Sequence, residues 1–227
     1  MKRRATLATD SHLSLPAAEN GVLPGLAGAL ALGAVDGKVQ LVPHHPLWKT
    51  YFDAERRSLY AALAPYIKEI RHIGSTAIPG ICAKPILDIM VGLVNIADVR
   101  DCEAPLAALD YIYKGEQDIS GWHFFKKKIG GLTTHHLHVV QWNSAYWVEH
   151  ILFQEYLFRH PEVAEAYERL KLALAEKYID DREAYTRDKT DFINKVTEMA
   201  RRVQQYQPAP NGRKGKREPQ PTQNPHP

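Results

Sequence analysis

The chain has 227 residues, a hydrophobic share of 44%, a charged share of 24% and a formal net charge of +3. Those proportions are globular and exclude a wholly disordered or collagen-like chain, and the length suits one domain with tails or two very small ones. The basic excess sits in residues 207–227, where Arg213, Lys214, Lys216 and Arg217 face Glu218, so the remaining body is neutral and argues against a nucleic-acid surface.

Residues 1–38 show no sustained period and read as a poorly structured arm. The stretch Gly21–Val35 is only 15 residues long and broken by Pro24, short of the roughly 18 apolar residues that a spanning helix needs. Asp10 and Glu19 spoil a signal-peptide pattern. No membrane partner is expected. Trp48–Tyr66 has helical spacing, with Trp48, Phe52, Leu59, Leu63 and Tyr66 on one stripe. Glu69–Ile73 is extended and leads into Gly74-Ser75-Thr76. Ile86–Val94 is a nearly continuous apolar run, a central strand buried on both faces, with Asp88 inside it. Ile96–Leu109 looks helical, interrupted by Pro105.

Tyr111–Lys114, Trp122–Lys128 and Leu132–Trp142 read as strands separated by glycines. From Ala145 the pattern is helical. Ser144 caps a first helix, His160-Pro161 ends it and starts a second, and Asp180-Asp181 caps a third carrying Tyr185, Phe192, Val196 and Met199. Residues 207–227 are proline-rich, and such a composition does not bury enough apolar surface to fold. The expected architecture is α/β (α+β): a mixed sheet core over residues 39–143 and a helical portion over 144–206. Cys82 and Cys102 are the two cysteines. They cannot build a disulfide framework in a domain this size, which points to a reducing cytoplasm.

An acid inside an apolar strand is costly unless something partners it. A Gly-Ser turn can present amides and hydroxyls to phosphate oxygens, and a carboxylate on the next strand can hold Mg²⁺ together with substrate phosphate. Gly74, Ser75, Thr76 and Asp88 therefore form a candidate triphosphate–metal site. Lys84 neighbours Asp88 in sequence, and Lys189 could reach the same cleft from a C-terminal helix. Lys126 and Lys128 share a strand face opposite Lys127. They either meet a triphosphate or guard an edge strand against aggregation. His136 and His138 also share a face. Beside the Asp88 strand they make an Asp/His/His site possible, with a preference for Zn²⁺, Mn²⁺ or Fe²⁺. Otherwise they bind substrate or hydrogen-bond the sheet.

The segment His72–Leu93 (HIGSTAIPGICAKPILDIMVGL) resembles the motif of GrpB family proteins, a branch of the DNA polymerase β-like nucleotidyltransferase superfamily. The resemblance continues through Gly115–Lys128, His135–Gln141, Phe153–Tyr178 and Tyr185–Ile193, so it spans roughly Val39 to Ala200. It implies a nucleotidyltransferase-like sheet, with Gly74 and Ser75 at a nucleoside triphosphate, Asp88 as the catalytic and metal-binding carboxylate, and Mg²⁺ or Mn²⁺ as cofactor. The superfamily pattern places a second acid where this chain has Met90, and His136 and His138 fall on the strand that would carry a third. Family members often have two arginines where this chain has Trp122-His123, and an arginine at the Gln154 and Phe158 positions.

Two functions follow as expectations. One is a metal-dependent nucleotidyltransferase acting on an unknown acceptor. The other is a non-catalytic nucleotide- or partner-binding module of the same fold, the accessory role suggested by fusions of this family to dephospho-CoA kinase. The chain itself carries no P-loop.

Overall fold

The computed structural model describes residues 32–206. The expected tail, and the arm as far as residue 31, lie outside that span. Five strands form one mixed sheet: β1 (Ile67–Ile73), β2 (Leu87–Leu93), β3 (Tyr111–Glu116), β4 (His123–Ile129) and β5 (Leu132–Gln141), in the order β1-β2-β5-β4-β3. The β2–β5 pair is parallel and the other neighbours are antiparallel. With six helices around it, this is the expected α+β architecture.

Parity along β2 decides what each face does. Leu87, Ile89, Val91 and Leu93 point into the main core with Leu137 and Val139 of β5. Helix α1 (Leu47–Leu63) covers that face with Trp48, Phe52, Leu59 and Leu63, and α2 (Val99–Ala107) adds Val99, Cys102 and Leu106. Asp88 and Met90 take the opposite face. There Met90 and Val140 pack beneath Trp147 of α3 (Ala145–Arg159). Gly92 lets that helix approach, because a β-carbon on it would stand 2.8 Å from the Trp147 ring.

α2 runs unbroken through Pro105 rather than stopping there. The proline forfeits one hydrogen bond, to the Asp101 carbonyl, while the helix keeps its three buried anchors. α3 begins at Ser144, whose hydroxyl accepts the Trp147 N–H, and α4 (Pro161–Lys177) starts on its proline. The expected third C-terminal helix is two helices. Asp181 accepts the Ala184 N–H at 2.9 Å and caps α5 (Arg182–Arg187), which carries Tyr185. A turn at Asp188-Lys189 then leads to α6 (Thr190–Tyr206), which carries Phe192, Val196 and Met199. The Tyr178 hydroxyl donates to Asp188 at 2.6 Å and fixes this turn.

Residues 32–38, the end of the expected arm, make contacts with the sheet and its core. Leu32 is buried in the main core. Ala34 exchanges two backbone hydrogen bonds with Thr133, both at 2.9 Å, and Asp36 accepts the Thr133 hydroxyl at 2.7 Å. Seven residues with no period of their own give no sequence signal, because the edge they join supplies their partners. Among the described residues no helix is long and apolar enough to cross a membrane.

Candidate functional site

Parallel pairing sets Asp88 beside His136 and Met90 beside His138. This juxtaposition builds the floor of a cavity of about 380 Å³, roofed by α4, α5 and the turn before α6. Its volume lies in the range of small-molecule sites. Gly74, Ser75, Thr76, Lys84, Asp88, His136, His138 and Lys189 all line it, so most of the sequence-expected residues converge.

Gly74 stands at φ +69°, in the region that glycine favours. A β-carbon there would press into Oδ2 of Asp88 and lie 2.9 Å from its Cβ. The carboxylate thus rests against bare backbone at the start of the short 3₁₀ turn Ser75–Ala77. Thr76 lines the cavity with its hydroxyl already engaged: it is buried, its hydroxyl donates to the Ile86 carbonyl at 3.3 Å, and it lies 3.0 Å from His72 Nε2.

Nδ1 of His136 lies 2.9 Å from Oδ1 of Asp88. On its other side the Arg182 guanidinium faces Nε2 at 3.5 Å. Arginine only donates, so Nε2 holds the lone pair and the Nδ1–H donates to Asp88. Burial works to raise Asp88, but that hydrogen bond and the Lys84 charge hold its carboxyl well below the usual range. Burial also pushes His136 down, so its ring is neutral near pH 7. His138 is fixed otherwise. Its Nδ1 accepts the Trp122 indole N–H at 3.0 Å and lies 3.2 Å from the Tyr146 hydroxyl. Burial lowers its pKa to about 3.

The donors in this arrangement do not fit the Asp/His/His metal set. His136 presents its one lone pair to a cation, and the Nδ1 lone pair of His138 is taken by an indole. Among the described residues no three His, Cys, Asp or Glu side chains form a metal-binding group. The second-acid position offers nothing either, since Met90 is fully buried in the packing under α3. A two-metal centre does not fit these donors. The free oxygen of Asp88 fits a single hard cation that draws its remaining ligands from phosphate.

The roof is cationic. Lys84, Lys171, Arg182 and Lys189 line the cavity against one carboxylate, Asp88. Lys84 and Lys189 lie over the Tyr185 ring, at 5.6 and 4.3 Å from its centroid. Burial and the neighbouring Lys84 charge lower Lys189 to about 7. Burial and Arg182 lower Lys84 to about 8. Lys171 is only 1% exposed, donates to the Cys82 carbonyl and sits over Tyr167, and burial lowers it to about 8. Buried and half-buried positive charges gathered around one cavity suit an anion.

Lys126 and Lys128 do not line the cavity. Both are paired with Asp36 from the arm, at 3.2 and 2.7 Å. A carboxylate from the end of the arm, not the cavity expected to hold a triphosphate, takes up their charge. Lys127 turns into the core, where it pairs with buried Glu55 of α1 at 3.1 Å.

Lys171, Arg182, Tyr167 and His150 also belong to the site and were missed in the sequence. Lys171 carried a signal: it is four residues after Tyr167 and three before Leu174, on the buried stripe of α4. His150 follows Tyr146 by one helical turn, and their rings stack at 4.1 Å. Arg182 had no signal beyond its place after a cap.

The family model described as GrpB protein matches residues 38–199. A glutamate-rich protein GrpB of Alkalihalophilus pseudofirmus is 41% identical over 169 residues, covering 73% of this chain and 97% of that protein. The UPF0157 protein YqkA of Bacillus subtilis is 34% identical over 175 residues, covering 77% of this chain and 51% of that protein, so the chain spans about half of that relative. The crystal structure of conserved protein GrpB from Enterococcus faecalis superimposes with a TM-score of 0.68 at 30% identity, over 73% of this chain and 99% of that one. A match over most of the chain, joined to the same fold, establishes that this chain belongs to the GrpB family.

Proposed function

We propose that the cavity binds the triphosphate of a nucleoside triphosphate and that the protein transfers the nucleotidyl group to an acceptor. The observation that carries this reading is the meeting of four cations, buried Lys171 and half-buried Lys84, Arg182 and Lys189, with a single carboxylate beside the Gly74-Ser75 turn. Lys84, Lys171, Arg182 and Lys189 neutralise a polyphosphate and stabilise the charge that develops on departing pyrophosphate. Ser75 and its turn hold phosphate oxygens. Asp88 would hold Mg²⁺ or Mn²⁺, and the cation would supply Lewis-acid polarisation of the transferring phosphorus. His136 keeps Asp88 ionised and oriented for that task.

Burial of Met90 in the second-acid position favours a second reading, a nucleotide-binding module without turnover. Calorimetric titration with ATP, CTP, GTP and UTP, each with Mg²⁺ or Mn²⁺, tests both. Binding that weakens about tenfold or more in Arg182→Ala and is lost in Asp88→Ala supports a triphosphate site. No binding by the wild type, or binding untouched in Asp88→Ala, overturns it. Binding without pyrophosphate release from any acceptor selects the module.

A further inference from the structure

A second cavity, of about 480 Å³, adjoins the first and shares Gly74, His150 and Tyr167 with it. Its other walls come from α3 and α6. Its character differs from that of the cationic cavity. Ile78, Phe153 and Ile193 give it apolar surface. Its one lining cation, Arg201, is already paired with Glu149. Gln154 also lines it, and the side-chain oxygen of Gln154 is buried with no hydrogen-bond partner. A buried acceptor without a donor is rare in folded proteins and calls for one.

His150 stands in the shared wall. Its Nδ1 lies 2.8 Å from the Tyr146 carbonyl oxygen. A carbonyl only accepts, so the ring proton is on Nδ1 and Nε2 keeps a lone pair. Stacking on Tyr146 fixes the ring plane. Burial lowers its pKa, so the lone pair is present near pH 7.

We infer that the second cavity is the acceptor site. It takes a hydroxyl- or amine-bearing small molecule with an apolar body, whose donor group meets the Gln154 amide once that side chain turns toward the cavity and whose reacting proton goes to Nε2 of His150. The inference rests on the first cavity being a triphosphate site. In the step, the acceptor oxygen or nitrogen forms a bond to the α-phosphorus. The bond from that phosphorus to the bridging oxygen breaks, and its electron pair leaves with pyrophosphate. The acceptor's proton passes to His150 and then to solvent. A side chain in the wall of both cavities can take that proton without a second carboxylate.

The test uses the full chain labelled with ¹⁵N-histidine, with tyramine as an amine- and hydroxyl-bearing probe and 4-hydroxyphenylacetate as its anionic counterpart. His150→Gln assigns the His150 signals. An Nδ1–H tautomer for His150, a shift of its Nε2 on adding tyramine, and saturation transfer to tyramine but not to the carboxylate are expected, because Glu149 and Glu198 outnumber Arg201 in the cavity wall and oppose an anion. Gln154→Leu weakens tyramine binding about tenfold, the cost of one lost buried hydrogen bond, while Gln154→Glu retains it. Equal binding of both probes, tyramine binding unchanged in Gln154→Leu, or an Nε2–H tautomer overturns the inference. ATP titration in parallel separates the two readings. ATP binding without tyramine binding sinks the acceptor site and leaves the triphosphate site standing. Tyramine binding without ATP binding removes both the triphosphate site and the acceptor role.

Discussion

The carboxylate of Asp88 lies so close against Gly74 that a β-carbon there would stand 2.9 Å from the Asp88 Cβ. The positive φ of Gly74 and the seat of the carboxylate are one constraint. Gly74→Ala must shift the turn or the strand, and it adds left-handed strain at the same position. The expected cost is roughly 2–4 kcal/mol, with loss of anion binding. Urea unfolding beside a pyrophosphate titration checks it. An alanine variant of wild-type stability and affinity would show that the seat is not tight.

Anion affinity should fall as pH rises from 7 to 9. Lys189 loses its proton about pH 7, and Lys84 and Lys171 about pH 8. Only the protonated lysines attract phosphate, so binding weakens through that window and a bound anion draws protons onto the protein. Calorimetry of pyrophosphate in two buffers of different ionisation enthalpy reads both the affinity and the proton uptake.

Stability should fall as pH drops below about 6.5, the usual histidine value. Burial pushes His72 and His135 down to about 4, and His138 to about 3. Between those values and 6.5 the unfolded chain binds more protons than the folded one, so stability is retained above 6.5 and lost as the pH falls toward 4. Denaturant midpoints at pH 7, 6 and 5 give the slope. His135→Gln should flatten it, since that ring is buried in the core face.

The Glu55–Lys127 pair joins α1 to β4 and is buried, with the Tyr111 ring 5.4 Å from the Lys127 ammonium and His135 Nε2 3.9 Å from the Glu55 carboxylate. Glu55→Ala leaves an unpaired buried ammonium and should cost about 3–5 kcal/mol. Replacing both partners, as Glu55→Leu with Lys127→Met, should restore stability to within about 1 kcal/mol of the wild type. Thermal unfolding of the two variants separates loss of the pair from loss of its packing. Equal damage in both would mean that shape, not charge, is what the site needs.

Periodicity and punctuation marked the strands and most helices, but not the break between α5 and α6 or the unbroken run of α2 through Pro105. The apolar run around Asp88, the glycines between the later strands and the caps Ser144 and Asp181 all mark structure through local chemistry. The candidate site was half legible. Gly74, Ser75 and Asp88 lie on a motif with fixed spacing, and Lys84 and Lys189 could be suspected from charge near it.

What the neutral body and its motif order determined by themselves was one α+β domain of the GrpB family. The tertiary structure decided the rest. Pairing of β2 with β5 put His136 against Asp88, and an arginine from α5 then denied that histidine to a metal. Asp36, from a segment without period, drew Lys126 and Lys128 away from the cavity. The break before α6 set Lys189 into the roof beside Lys171. None of these is local: each depends on which charges meet across elements far apart in the chain, and spacing along one strand or helix does not carry that information.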